Sequence, residues 1–205
     1  GASVYGMNDI THLGIYDIPM MANIPNLVYM APTTKEEYLA MLAWSIGQTD
    51  HPVAIRVPGG QMVSEGKTVT KDFGQLNTYE VTQTGGRIAI IGLGTFYALG
   101  QGAAECIEQK TGVRSTVINP YYITGLDENL LQELKKEHDI VVTLEDGILD
   151  GGFGEKIARF YGASAVKVLN FGLKKEFLDR YDADEILKKN HLTVEQVAED
   201  ILKLL

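Results

Sequence analysis

From residue 88 onward the sequence alternates short apolar runs with amphipathic helical stretches, and that rhythm restricts the fold more than any other feature. Ile88-Ala89-Ile90-Ile91, Ser115-Thr116-Val117-Ile118, Ile140-Val141-Val142-Thr143-Leu144 and Val166-Lys167-Val168-Leu169 each have the length and β-branched content of a strand. Helical patterns separate them. One spans residues 96–109 and ends at Gly112, where a C′ glycine belongs, and another spans 127–136, capped by Asp127. A third follows Gly154, and a closing helix through Leu205 is capped by Thr193 with Gln196. Strands that are apolar throughout are buried on both faces. The expected class is therefore α/β, a mostly parallel sheet with helices on both sides.

The chain before residue 64 is thinner. Residues 26–30 read as a strand, followed by Ala31-Pro32. Thr34 and Glu37 form a capping box for a helix whose expected apolar face is Tyr38, Leu39, Leu42 and Ile46. Residues 53–57 read as a second strand, stopped by Pro58-Gly59-Gly60. Two strands are too few for an independent domain, so this part reads as the end of a domain that begins upstream. Residues 64–87 are polar, with only short alternations that suit edge strands, and are expected to hold a linker.

Composition narrows the function classes. The 205 residues are long enough to bury a core, and 45% of them are hydrophobic. No apolar run is long enough to span a bilayer, and the first residues carry no signal-peptide pattern, which suggests a cytoplasmic protein. The first residue is Gly rather than Met, so this end reads as an engineered boundary, a tag remnant or a cut. The net charge is −9, and the densest basic clusters are the pairs Lys135-Lys136, Lys174-Lys175 and Lys188-Lys189, which argues against nucleic acid. Cys106 stands alone, which excludes an internal disulfide or a cysteine-rich zinc site; it reads as a small buried hydrophobe.

Several motifs invite a chemical reading and favour a structural one. Gly92-Leu93-Gly94 follows a strand and opens a helix, but position 97 is Tyr and no acidic residue ends the next strand, so a tight turn is favoured over a dinucleotide site. Gly151-Gly152-Phe153-Gly154 lacks the order of a P-loop and reads as packing glycines before a helix. Glu145 and Asp146 are adjacent on a strand and point to opposite faces, which suits hydrogen bonding or subunit contact better than a catalytic pair. His51, His138 and His191 lie at a turn, a helix end and before a cap, and read as structural or solvated. His12 differs. It lies on a polar loop, Gly6 to Gly14, where a histidine is placed to exchange a proton with a substrate oxygen.

That loop carries a family resemblance. Asn8-Asp9-Ile10-Thr11-His12-Leu13-Gly14-Ile15-Tyr16-Asp17 resembles the Asp-Gly-x-Thr-His-x-Gly-x-x-Asp segment of the pyrimidine-binding domain in thiamine-diphosphate enzymes of the transketolase family, most of all the 1-deoxy-D-xylulose-5-phosphate synthases. Further matches follow in register: Ile24-Pro25, Met30-Ala31-Pro32, Pro52 with Ala54, Arg56 and Pro58, then Gly92 with Gly94-Thr95. Leu126-Asp127, Val142-Thr143 with Glu145, Gly151-Gly152 with Gly154, and Gly172-Leu173 complete the series. The resemblance implies that residues 1–70 finish a pyrimidine-binding domain, 71–84 link, and 85–205 form a transketolase C-terminal domain. It also implies a homodimer that joins a two-carbon unit from pyruvate to an aldehyde acceptor with thiamine diphosphate and Mg2+. The diphosphate motif and the glutamate that protonates the cofactor would lie upstream, in a missing N-terminal part of the same protein. His12 is implied as the active-site histidine, stabilising charge as a carbonyl is attacked. Asn8, Asp9, Thr11 and Arg56 are implied as its substrate-binding neighbours.

The sequence departs from the family where substrate is met. The family's Asp is Asn8, its following Gly is Asp9, and the arginine of Tyr-Pro-Arg-Gly, expected on the acceptor's phosphate, is Gly59. Without that guanidinium the strongest bidentate contact to glyceraldehyde 3-phosphate is gone. Two neighbouring enzyme readings are a transketolase or a 2-oxo acid dehydrogenase beta-type subunit. A reading of another class is a non-catalytic subunit-contact module.

Overall fold

The computed structural model describes residues 2–5 and 9–205, so Asn8 lies outside the described residues. After a short helix α1 (Asp17–Met21), strands β1 (Val28–Met30) and β2 (Val53–Ile55) form a parallel pair, with helix α2 (Lys35–Gly47) between them in the chain. Thr34 caps α2 as expected, its hydroxyl accepting from the Glu37 amide at 3.2 Å. The return half of the box goes one residue further back. The Glu37 carboxylate accepts from the amide and hydroxyl of Thr33, at 2.7 and 2.9 Å.

The buried stripe of α2 is not the one expected. Leu39 and Ile46 are 51% and 76% exposed, while Met41 and Glu37 are buried. Met41, with Ala40 and Trp44, packs against Val28, Met30, Phe73, Tyr121 and Tyr122. That contact turns the helix by about one residue, roughly 100°, from the face with the most apolar side chains. Tertiary packing has overridden the amphipathic pattern.

A five-stranded sheet carries the rest, in the order β3-β5-β4-β6-β7. Strands β4 (Arg87–Gly92), β5 (Thr116–Asn119), β6 (His138–Ile148) and β7 (Lys167–Leu173) are mutually parallel. Strand β3 (Glu80–Gln83) adds to β5 antiparallel at the edge, inside the polar stretch expected to link. Helices α3 (Phe96–Thr111), α4 (Glu128–Glu137), α5 (Phe153–Tyr161), α6 (Ala183–Lys189) and α7 (Val194–Leu202) cover it. Asp127, Asp182 and Thr193 cap α4, α6 and α7 through their side chains. Helix α6 was not legible beforehand.

Both faces of the sheet are buried, as the apolar runs imply. Ile88 and Ile90 point to one side, with α3 and α7, where Ala103, Ile107, Val197 and Ile201 lie fully buried. Ala89 and Ile91 point to the other, against Leu131 of α4 and Phe153, Ile157 and Tyr161 of α5. Full burial of one such aliphatic side chain contributes about 1.5–3 kcal/mol. The first part of the chain joins these same layers, through Ile15 on one side and Ile18, Tyr29 and Ala31 on the other. Gly92 and Gly94 form the tight strand-to-helix turn. A Cβ on Gly92 would lie 2.6 Å from the Tyr97 Cα, and Gly94 has φ +54°. Cys106 is only half-buried, at the edge of the α3 packing rather than inside it.

Candidate functional site

Asp9 starts a single turn of 3-10 helix, Ile10–His12, and its side chain organises that turn. Asp9 Oδ1 accepts from the Thr11 amide at 2.9 Å and from the Thr11 hydroxyl. His12 Nδ1 lies 3.1 Å from the same oxygen and 2.7 Å from Thr11 Oγ1. The hydrogen bonds from Thr11, and then from His12, hold the Asp9 carboxyl down at about 2. The Asp9 carboxylate can only accept, so Nδ1 is placed to donate to it and Nε2 is left as the other ring nitrogen. The His12 side chain is 57% exposed, so Nε2 is open to a small molecule. Of the implied site residues, Asp9, Thr11 and His12 are therefore brought together.

The loop is held from two sides. Ser3 donates its amide to the Gly14 carbonyl at 2.8 Å, Ala2 donates to Val57 O at 2.9 Å, and Gly59 donates back to Ala2 O at 2.8 Å. From the other side, residues after β7 lean on it. The Ile10 amide donates to Asp179 at 3.3 Å, Tyr16 OH donates to the Glu176 carbonyl at 2.6 Å, and the Tyr16 and Phe177 rings meet at 5.6 Å. Phe177 is 75% exposed beside this contact.

Arg56 is turned inward, and this corrects the reading of it as a substrate contact. It is 6% exposed. Its Nε donates to Asp17 at 2.7 Å, Nη1 donates to Asp146, and Nη2 donates to the Gly14 carbonyl at 3.0 Å and to Asp17 at 3.3 Å. Burial works against its charge, but the carboxylates of Asp146 and Asp17 outweigh it and hold the guanidinium protonated. Arg56 thus secures the end of the His12 loop instead of facing a ligand. Its partners were missed in the sequence, since they lie 39 and 90 residues away. Asp146 is completed by the Thr95 hydroxyl at 2.9 Å, and Tyr29 OH donates to Asp17.

Glu145, on the opposite face of β6, is fully buried. Its two oxygens accept from the amides of Phe153 (2.9 Å) and Gly154 (2.8 Å), capping α5 from a neighbouring strand. Burial pushes its carboxyl up to about 7, against the pull of those amides. The glycines before α5 make room for this: a Cβ on Gly152 would lie 2.6 Å from the Glu145 oxygens, and one on Gly154 2.5 Å from Thr143 Oγ1. The structural reading of both motifs holds. His138 is likewise structural but not solvated. It is 7% exposed and bonds Leu134 O and Thr116 Oγ1 at 3.1 and 2.8 Å, and burial lowers its pKa.

The comparisons with known proteins agree with this architecture. The family described as transketolase, C-terminal domain, matches residues 77–197. The 1-deoxy-D-xylulose-5-phosphate synthase of Clostridium tetani is 30% identical over 206 residues, covering 100% of this chain and 33% of the relative. That of Symbiobacterium thermophilum is 35% identical over 191 residues, covering 92% and 29%. The chain thus spans about a third of the length of these curated relatives. Among solved structures, a split-gene transketolase described as an inactive beta4 tetramer superimposes with TM-score 0.77 at 22% identity, over 95% of this chain and 62% of that one. A transketolase mutant of Pichia stipitis in complex with xylulose 5-phosphate gives TM-score 0.71 at 22% identity, over 98% and 29%. At such identities the structures speak for the fold. With a sheet, helix order and family match that run through more than half its length, the chain belongs to the transketolase C-terminal domain family.

Proposed function

We propose that this chain is the C-terminal portion of a 1-deoxy-D-xylulose-5-phosphate synthase-like transferase, cytoplasmic and homodimeric, that joins a two-carbon unit from pyruvate to an aldehyde acceptor. In this reading residues 1–70 end a pyrimidine-binding domain, 71–84 connect, and 85–205 form the C-terminal domain. The observation that carries the site assignment is the Asp9, Thr11 and His12 cluster, with Nδ1 engaged and Nε2 open.

Thiamine diphosphate and Mg2+ would supply the carbon nucleophile when bound. No group of at least three His, Cys, Asp or Glu side chains among the described residues is arranged to hold a metal ion. By the family resemblance, we assign the diphosphate and metal end of the cofactor to residues outside this chain. What the chain contributes is a proton carrier. Neutral His12 accepts a proton at Nε2 from a substrate hydroxyl. The imidazolium so formed donates at Nε2 to a developing alkoxide, while Asp9 stabilises the charge from behind.

His12→Ala in the longer enzyme is expected to lower kcat by roughly 10²–10⁴-fold, the usual contribution of a positioned acid–base group. Unfolding by urea should be little changed, because the side chain is 57% exposed and belongs to no apolar core cluster. Unaltered kinetics in a folded variant would remove the site assignment.

A further inference from the structure

Helix α2 carries two apolar faces, and the fold uses one of them. Ala40, Met41 and Trp44 turn into the core with Phe73 and Tyr122. Leu39, Leu42, Ala43 and Ile46 recur at the i, i+3, i+4, i+7 spacing of a second stripe. Ile46 is 76% and Leu39 51% exposed, Ala43 is exposed and Leu42 is half-buried. None of the four joins an apolar cluster. Exposed apolar side chains scattered singly are ordinary, but four in line on one helix mark a contact face.

The stripe is symmetric about its own midpoint. From a centre between Leu42 and Ala43, Leu39 and Ile46 stand equally far in opposite directions, and so do Lys35 and Asp50. A two-fold axis through that point, perpendicular to the helix, lays a second α2 antiparallel on the first. Leu39 of each copy then meets Ile46 of the other. The two Leu42 side chains meet beside the axis, and the small Ala43 lets the helices approach. Lys35 reaches the C-terminal end of the other helix, whose carbonyls favour a cation, near Asp50. At that end a Cβ on Gly47 would meet nothing within 4 Å, so the last turn is open to approach. Lys35 and Asp50 are exposed, and among the described residues neither is ion-paired. Parallel pairing has no such complementarity, since it sets Lys35 on Lys35 and Asp50 on Asp50.

We propose that this stripe of α2 is an interface between two copies of the chain, paired antiparallel about a two-fold axis between Leu42 and Ala43. The pairing rests on α2 alone. It gives the proposed homodimer a contact face without depending on the transferase reading. Four apolar positions per copy make a small seam, so the association belongs to the weak class, with a dissociation constant on the order of 100 μM.

The test is sedimentation equilibrium of the purified 205-residue chain from about 10 μM to about 1 mM, a range that brackets that constant. Dimer should dominate at the upper end. Ile46→Lys, at an exposed position, should weaken association at least about tenfold, because it sets a charge on the seam. Lys35→Asp should weaken it a few-fold, and adding Asp50→Lys should restore it, because the reversed charges are opposite again. Urea unfolding checks that each variant is folded, and Leu39→Lys carries the same test where Ile46→Lys is not. A chain that stays monomeric at about 1 mM overturns the proposal and assigns the stripe to another occupant, such as a preceding part of a longer protein. A dimer that Ile46→Lys leaves unchanged also overturns it and places the contact on another face, while the homodimer reading stands. A loss in Lys35→Asp that Asp50→Lys does not restore overturns the antiparallel register. Association is read here without turnover, so its failure leaves the His12 test of the transferase reading untouched, and the reverse also holds.

Discussion

Arg56 shows how a single side chain can belong to a site without meeting substrate. It joins Asp17, Asp146 and the Gly14 carbonyl, and so ties β2, the end of the His12 loop and β6 into one unit. Nothing local in the sequence marks this, because a buried ion pair depends on which strands become neighbours. An arginine between two apolar strand residues and a proline looks as ready to bind phosphate as to bind aspartate. Arg56→Met keeps much of the volume but leaves Asp146, with no solvent exposure, beside an empty charge position. Stripping one partner from a buried pair costs about 3–5 kcal/mol, and that is the loss expected in urea unfolding of the variant. A loss under about 1 kcal/mol would mean that the pair contributes little beyond a surface bridge. Asp9, Thr11 and His12, by contrast, lie within four positions of one another, and their grouping was readable because a turn of that length brings them together.

Among elements, legibility follows the source of each signal. The four parallel strands and helices α3, α4, α5 and α7 could be read because burial on both faces and side-chain caps leave local marks. Strand β3 was marked only as one of the short edge-strand alternations in residues 64–87, and helix α6 escaped. Residues 80–83 are mostly exposed and pair only with β5, so they show no apolar run, and α6 is a seven-residue helix signalled by little more than Asp182. Helix α5 is a case between. Its glycines were visible, but the carboxylate that caps it comes from β6. That cap makes a pH prediction. Glu145 titrates near 7 in the folded chain, above its ordinary value of 4.5. Between those values the folded state binds the proton and the unfolded state does not, so the group's stabilisation is full below about 4.5 and is lost as pH rises through about 7. The slope cannot exceed about 1.4 kcal/mol per pH unit. Glu145→Gln, uncharged throughout, should flatten the stability profile across this window. Urea-midpoint profiles for variant and wild type that stay parallel across this window would mean that the capping amides, and not burial, control this carboxyl.

At the scale of the whole molecule, the layers on the two faces of the sheet are shared between both parts of the chain, so the described residues before 60 pack on a core without a complete domain of their own. Folding and catalysis are then separable properties. The chain carries a core shared by both its parts, yet it spans about a third of the length of its curated relatives. We expect the 205-residue chain to unfold cooperatively in urea, to show no turnover, and to bind thiamine diphosphate with Mg2+ weakly or not at all. Calorimetric titration of the purified chain with cofactor and magnesium measures this directly. If the proposed function is right, adding a second chain that carries the diphosphate and metal motifs should restore both binding and turnover. Micromolar cofactor affinity in the chain alone would overturn the assignment of the diphosphate end to the missing part. It would require a site among the residues of this chain that no clustering of carboxylates and histidines marks.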